Sequence, residues 1–106
     1  MRAAHDGEKL TTLDGQEREL TSDMALITDD GKTPIALAGV MGGQDSEIDD
    51  TTVDVLLESA AFSNAHPSRT SRNLQLFSEA AMRYERIVDA EGCAWVADVA
   101  AALFAQ

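Results

Sequence analysis

The sequence predicts a chain of the α/β class, α+β in organisation, with strands in its first half and helices in its second. Three observations carry that reading. The chain has 106 residues, 44% of them hydrophobic, which fits one compact domain or a piece of one. Turn signals punctuate the first half at short intervals: Asp6-Gly7, Asp14-Gly15, Asp29-Asp30-Gly31, Gly39 and Gly42-Gly43. From Phe62 onward glycine is absent until Gly92, and Ala, Arg, Glu and Leu, all favourable helix formers, dominate.

Each element follows from its local pattern. Leu10-Thr11-Thr12-Leu13 and Gln16 to Leu20 flank Asp14-Gly15, a dipeptide that tolerates the positive φ angles of a two-residue hairpin turn. Ala25 to Thr28 and Pro34 to Ala38 are short apolar runs bounded by turns, and Val53 to Leu57 alternates before becoming wholly apolar, so all three are expected as strands. Ser63 or Asn64 is positioned to cap a first helix with Pro67 in its opening turn, where a missing N–H costs least. Ser78 caps a second helix, with Glu79 in its first turn where a carboxylate complements the helix dipole. Asp89 caps a third, whose residues Val96, Val99, Ala100, Leu103 and Phe104 share one apolar face. That face is expected to pack on the β layer or on a segment beyond Gln106.

Charge narrows the function classes. Eight Lys+Arg against nineteen Asp+Glu give a net charge of −11, which disfavours a general nucleic-acid clamp and a free-standing tRNA-binding module. Residues 1–62 hold four of the bases and fourteen of the acids, so the basic surface is helical: Arg69, Arg72, Arg83 and Arg86. These four either meet a few phosphates or form ordinary solvated Glu/Arg faces. A single cysteine, Cys93, allows no internal disulfide and no structural zinc cluster, which suits a reducing cytoplasm. No signal-like apolar core and no run of roughly 18 apolar residues occurs, so a soluble protein with no membrane partner is expected.

Familiar chemical motifs are absent. Gly39-Val40-Met41-Gly42-Gly43 lacks the spacing and the Lys-Ser/Thr ending of a phosphate loop, and acids follow it; its glycines serve either a tight turn or the close approach of a ligand. Asp45-x-Glu47-x-Asp49 starts like a calcium loop, but Asp50 and Leu56 stand where Gly and Glu are required. His5 and His66 lie in no nucleophile motif, and no triad is visible. Glu58 is the most unusual residue: it closes Val55-Leu56-Leu57 and precedes Ser59-Ala60-Ala61-Phe62, placing a carboxylate amid apolar neighbours. A buried carboxylate must be hydrogen-bonded, so Glu58 either ties down nearby backbone or waits for a ligand's hydroxyl or amine. On the residues alone the structural role is the plainer one.

The same residues form ordered blocks. They are Gly7-Glu8-x-Leu10-x-Thr12-Leu13-Asp14-Gly15, Ala36 to Gly43, Leu57-Glu58-Ser59-Ala60-x-Phe62, and Ser78-Glu79-Ala80-x-x-Arg83-Tyr84-Glu85-Arg86-x-Val88-Asp89. Together, from Arg2 to Asp89, they resemble the β subunit of bacterial phenylalanyl-tRNA synthetase, within its editing domain of paired third and fourth structural modules. The resemblance implies a three-layer β/β/α sandwich, of which residues 1–106 form a single partial domain. It also implies a partner α subunit in a heterotetramer, and the tRNA(Phe) 3′ end as a substrate. The synthetic site, which uses ATP and magnesium, lies on the α subunit; no metal or cofactor is implied for this segment. The editing site hydrolyses tyrosine wrongly attached to the tRNA. A pocket shaped for phenylalanine cannot strongly reject a ring that merely adds a hydroxyl, hence the second sieve.

By that resemblance Glu58 accepts a hydrogen bond from the tyrosine phenol. Gly42 leaves room for the ring, and bulk there would block it. Ala80 is another small wall residue, and Glu79 belongs to the same pocket. Ser78, where many relatives have threonine, would position the ester carbonyl or the attacking water; no general base is assigned. The family's pocket also uses a histidine and a proline from a segment preceding Arg2, and part of the domain follows Gln106. The chain is therefore expected to be an inactive fragment on its own, without synthetase activity. Gln75 and Ile87 stand where relatives commonly have glycine. The competing expectation is a structural, RNA-interacting or subunit-interacting module without a working pocket.

Overall fold

Short turns and alternating apolar residues build the first half, as the sequence leads one to expect. The computed structural model describes all of residues 1–106. Strands β1 (Arg2–Ala3), β4 (Ala25–Asp29), β5 (Thr33–Leu37) and β6 (Met41–Gly42) form an antiparallel sheet in the order β1-β4-β5-β6. Strands β2 (Lys9–Thr11) and β3 (Glu17–Glu19) form the separate hairpin, in the register Leu10 opposite Arg18. A bridge between Thr12 and Gly43, and a bond from Leu13 N–H to Gly42 carbonyl (3.1 Å), fasten the hairpin to the free edge of β6.

The hairpin turn differs from expectation. Thr12 N–H bonds to Gln16 carbonyl, so three residues lie in the loop, and only Gly15 takes a positive φ, +79°. This is a turn followed by one left-handed residue, the usual three-residue solution, in place of a two-residue turn needing two such residues.

Helices α1 (Ala65–Leu74), α2 (Glu79–Tyr84) and α3 (Cys93–Phe104) follow, the last preceded by a 3-10 turn over Ala90–Gly92. Asn64 occupies the first cap position, but its side chain makes no cap bond. Ser78 caps α2 as expected, accepting from Ala81 N–H, and Asp89 caps the 3-10 turn by accepting from Glu91 N–H. The helix α1 ends at Gln75, whose φ of +51° and ψ of +38° are left-handed. Leu76 N–H returns to Ser71 carbonyl, the closing bond that usually recruits glycine. Ile87 is different: Asp30 and Gln75 are the only non-glycine residues with positive φ, so position 87 has no conformational need for glycine.

One core unites hairpin, sheet and the first two helices: Leu10 and Leu20, Leu26 and Leu37, and Leu76 and Ala81 are all buried in it. These contributions match a β/β/α composition. Arg18 strengthens the join, pairing with Asp14 at 2.7 Å and donating to Leu74 carbonyl at the α1 C-terminus, where a cation suits the helix dipole.

One expectation fails in the second half, and another loses one of its two alternatives. Val53–Leu57 is not a strand: it is extended but unpaired, with Val53 and Leu56 at least 90% exposed. A strand requires a ladder partner; β1 offers only two residues, and the far edge of β6 is already taken by the hairpin. Helix α3 does not pack on the β layer, and Trp95 and Phe104 are about 70% exposed. The chain exposes 7358 Å², against about 5,700 Å² for a compact monomer of this mass, and nine of its fifteen exposed large hydrophobic residues lie in this strap and this helix.

Candidate functional site

The outer face of the four-stranded sheet is apolar because β4 and β5 carry hydrophobic residues on both sides. Leu26 and Leu37 pair on the core side, while Ile27 and Ala36, the next pair in register, are half-buried on the other. The unpaired strap over residues 52–62 passes this face, leaving a cavity of about 780 Å³. Ile27, Ile35, Ala36 and Gly42 line it from the sheet; Ile48 and Leu57, Glu58 and Phe62 line it from the chain that follows. A mostly apolar recess with a few polar groups is the usual form of a small-ligand site.

Two of the expected site residues thus share one cavity. Glu58 is exposed at its edge and takes part in none of the four ion pairs of the chain. The expectation of a buried carboxylate is corrected: without a strand at 53–57, nothing carries Glu58 into the interior. Gly42 lines the cavity with its backbone, and an added Cβ there would first meet Leu13 Cδ1 at 3.2 Å. Gly43 beside it is needed for a different reason, since a Cβ would stand 2.6 Å from Ile35 carbonyl. Of the two readings of the glycine segment, the turn accounts for Gly39 (φ +71°), close backbone packing accounts for Gly43, and only Gly42 borders the cavity.

The other expected residues lie elsewhere. Ser78 and Glu79 border a separate cleft of about 330 Å³ with Phe77, Met82 and Glu85, and Ala80, half-buried, lines neither space. The Ser78 hydroxyl proton is committed to Val40 carbonyl. Among the arginines, Arg83 pairs with Glu79 at 3.2 Å, and with Arg86 it borders a shallow cleft beside Met82. Arg69 faces Asp23, whose carboxyl is held below its ordinary value first by the Thr21 hydroxyl and less by Arg69 and Asn73. Arg72 lies exposed in the last turn of α1.

Charge in the large cavity comes from Glu47, Asp54 and Glu58, with no Lys or Arg among the lining residues, a poor environment for a triphosphate. These acids are not gathered into a group able to hold a metal ion. Asp49, next to them in sequence, spends its carboxylate on Thr51 and Thr52, which keep its pKa low. The residues present therefore do not fit ATP or magnesium.

The comparison with known proteins is decisive at the level of family. The B3/4 domain model matches residues 1–106, the whole chain. The chain belongs to the B3/4 domain family. It is 50% identical over 106 residues to the phenylalanine–tRNA ligase beta subunit of Symbiobacterium thermophilum, covering all of this chain and 12% of that relative. The corresponding subunit of Moorella thermoacetica is 51% identical over the full chain and 13% of its own length, and that of Desulfotalea psychrophila 52% identical over 98 residues. This B3/4 domain thus spans about one eighth of the length of those relatives. No helix in it is long and apolar enough to cross a membrane.

Sequence reasoning missed the lining residues Ile27, Ile35, Ala36, Ile48 and Phe62. A signal existed for the first three: Ala25–Ile27 and Pro34–Ala38 are apolar at successive positions, so both faces of those strands need cover. No local pattern marks Ile48 or Phe62 as facing that same surface.

Proposed function

We propose that this B3/4 domain contributes the tyrosine-recognising part of a hydrolytic editing site acting on Tyr-tRNA(Phe). In this reading it works as part of a phenylalanine–tRNA ligase β subunit, beside an α subunit and the tRNA(Phe) 3′ end, in the cytoplasm. The observation that carries it is the meeting of Gly42 and an ion-pair-free Glu58 in one largely apolar cavity of about 780 Å³.

The chemistry follows from that pairing. The apolar walls take the ring of either amino acid, and the Glu58 carboxylate accepts the phenol proton of tyrosine in a charge-assisted hydrogen bond. Phenylalanine offers no donor and forgoes that bond, a difference of about 0.5–1.5 kcal/mol at a carboxylate that stays exposed to water. Water then attacks the ester carbonyl of the retained substrate, releasing tyrosine and the free tRNA 3′ end. ATP and magnesium serve the aminoacylation site on the α subunit.

The test is deacylation of Tyr-tRNA(Phe) and Phe-tRNA(Phe) by the intact αβ enzyme whose β subunit carries this domain. Glu58→Gln and Glu58→Ala are expected to lower kcat/KM for the tyrosyl ester by roughly 2- to 12-fold, the equivalent of that bond, while leaving aminoacylation unchanged. Equal hydrolysis by wild type and both variants would overturn the proposal. A second reading, an interaction module without a working pocket, draws on the exposed apolar face of α3, with Trp95 and Phe104 at its ends, and gains if those variants are silent.

A further inference from the structure

Three features meet at Phe62. It is half-buried and is the only aromatic residue among the lining of the large cavity. Its ring lies against Gly39, where an added Cβ would come within 3.0 Å of Phe62 Cδ2. From α2 the Tyr84 ring meets it edge to face, with centroids 5.0 Å apart and planes at 66°. Tyr84 does not itself line the cavity; burial raises the pKa of its hydroxyl, and the negative charge of Glu58 adds to the effect.

We infer that Phe62 is the aromatic contact of the cavity for the substrate ring, and that Tyr84 is the residue that positions it. This deepens the proposed function and rests on it. The remaining apolar walls, such as Ile27, Ile35 and Ile48, are aliphatic; they bury an apolar side chain of any shape and do not favour a ring over a branched chain. A ring in the wall does, because aromatic pairs gain from the opposition of face and edge beyond the area they bury. That gain requires a fixed orientation. Gly39 on one side and Tyr84 on the other restrict the Phe62 ring, so α2 reaches the cavity through an intermediary although Tyr84 does not border it. The strap then carries two readers four residues apart: Glu58 senses the hydroxyl and Phe62 senses the ring.

The experiment uses the intact αβ enzyme, with aminoacylation as the control for an assembled protein and Tyr-tRNA(Phe) deacylation as the readout. Phe62→Leu is expected to raise KM by roughly 2- to 12-fold, the value of an aromatic pair, with kcat and the preference for tyrosyl over phenylalanyl ester retained. Tyr84→Ala is expected to raise KM similarly, Tyr84→Phe to restore wild-type KM, and the Phe62→Leu/Tyr84→Ala pair to do no more than Phe62→Leu alone. An unchanged KM in Phe62→Leu, alongside a lowered kcat/KM for the tyrosyl ester in Glu58→Gln, overturns this inference and leaves the proposed function standing. Tyr84→Phe as defective as Tyr84→Ala overturns the positioning role, because the ring pair survives that change. Silence of Glu58→Gln and Phe62→Leu together overturns both readings.

Discussion

The Ser78 hydroxyl donates to the carbonyl of Val40 and at the same time accepts from the backbone N–H of Ala81 at 3.0 Å. One side chain thus starts α2 and ties it to the loop between β5 and β6. That loop leads directly into Gly42, so the helix start and the cavity wall are mechanically linked.

Removing the hydroxyl breaks both bonds. Ser78→Ala is expected to lower stability by about 1–2 kcal/mol, the range for losing a cap, whereas Ser78→Thr keeps the oxygen and costs little. Urea unfolding of the two variants followed by circular dichroism checks this; equal midpoints would show that the cap carries no weight.

Gln75 holds a left-handed conformation, φ +51°, at the end of α1. Such a conformation strains an L side chain by about 1–2 kcal/mol, which outweighs the extra unfolded-state entropy of glycine. Gln75→Gly should therefore stabilise the domain by about 0.5–1 kcal/mol, raising Tm by a few degrees. Thermal unfolding gives the answer, and Ile87→Gly, at a position without positive φ, is the contrasting variant expected to gain nothing.

Adjacent glycines are predicted to differ. At Gly43 a Cβ would lie 2.6 Å from Ile35 carbonyl and 3.2 Å from Leu10 Cδ1, a backbone clash that forces β5 and β6 apart. Gly43→Ala should cost about 1–3 kcal/mol. At Gly42 the nearest atom is the tip of the exposed Leu13 side chain, which has room to give, so Gly42→Ala should change the urea midpoint much less.

Acid is expected to unlock the N-terminal clasp. Arg2 holds Glu8 through two bonds, one of them 2.9 Å, and His5 N–H adds a third. The Arg2 contact is the main reason the Glu8 carboxyl falls from 4.5 to about 2. Because the folded state binds this proton less readily than the unfolded chain, the stabilisation is complete above the ordinary value and is lost as pH falls through the folded one. Between those two values Glu8→Gln should show a shallower decline in urea midpoint than wild type. A residual slope remains in that variant, since Asp14, Asp23 and Asp49 are also held low by hydroxyl and amide donors.

Much of the first half was legible in the residues. Asp14-Gly15 located the hairpin, and the apolar runs at Ala25–Thr28 and Pro34–Ala38 located the central strands to within a residue or two. Ser78 marked the cap of α2, because a short oxygen-bearing side chain before a helix acts over three residues and needs no distant partner, whereas Asp89 caps the 3-10 turn ahead of α3, whose own cap position is Gly92. The extra loop residue in the hairpin was not legible, since Asp14-Gly15 suits either loop length and the bond between Thr12 and Gln16 decides.

The cavity shows the opposite case. Glu58 stood out by composition and Gly42 by resemblance, yet neither marked the other as a neighbour, and Phe62, although part of a block that carries the resemblance, was given no place in the site. Val53–Leu57 has the alternation of a strand and failed to become one because pairing is a property of two segments, and the free sheet edges are short or occupied.

Local chemistry, then, was settled by the order of residues: where the chain turns, where helices begin, where charge accumulates, and which family it belongs to. Only the folded arrangement decided which surfaces face one another, placing Glu58, Gly42 and Phe62 around one space and Ser78 around another. The reason is physical. Turns and caps are fixed by interactions a few residues long, whereas a cavity is the gap left between a sheet face and a strap, and its walls come from positions whose separation along the chain says nothing about their distance in space.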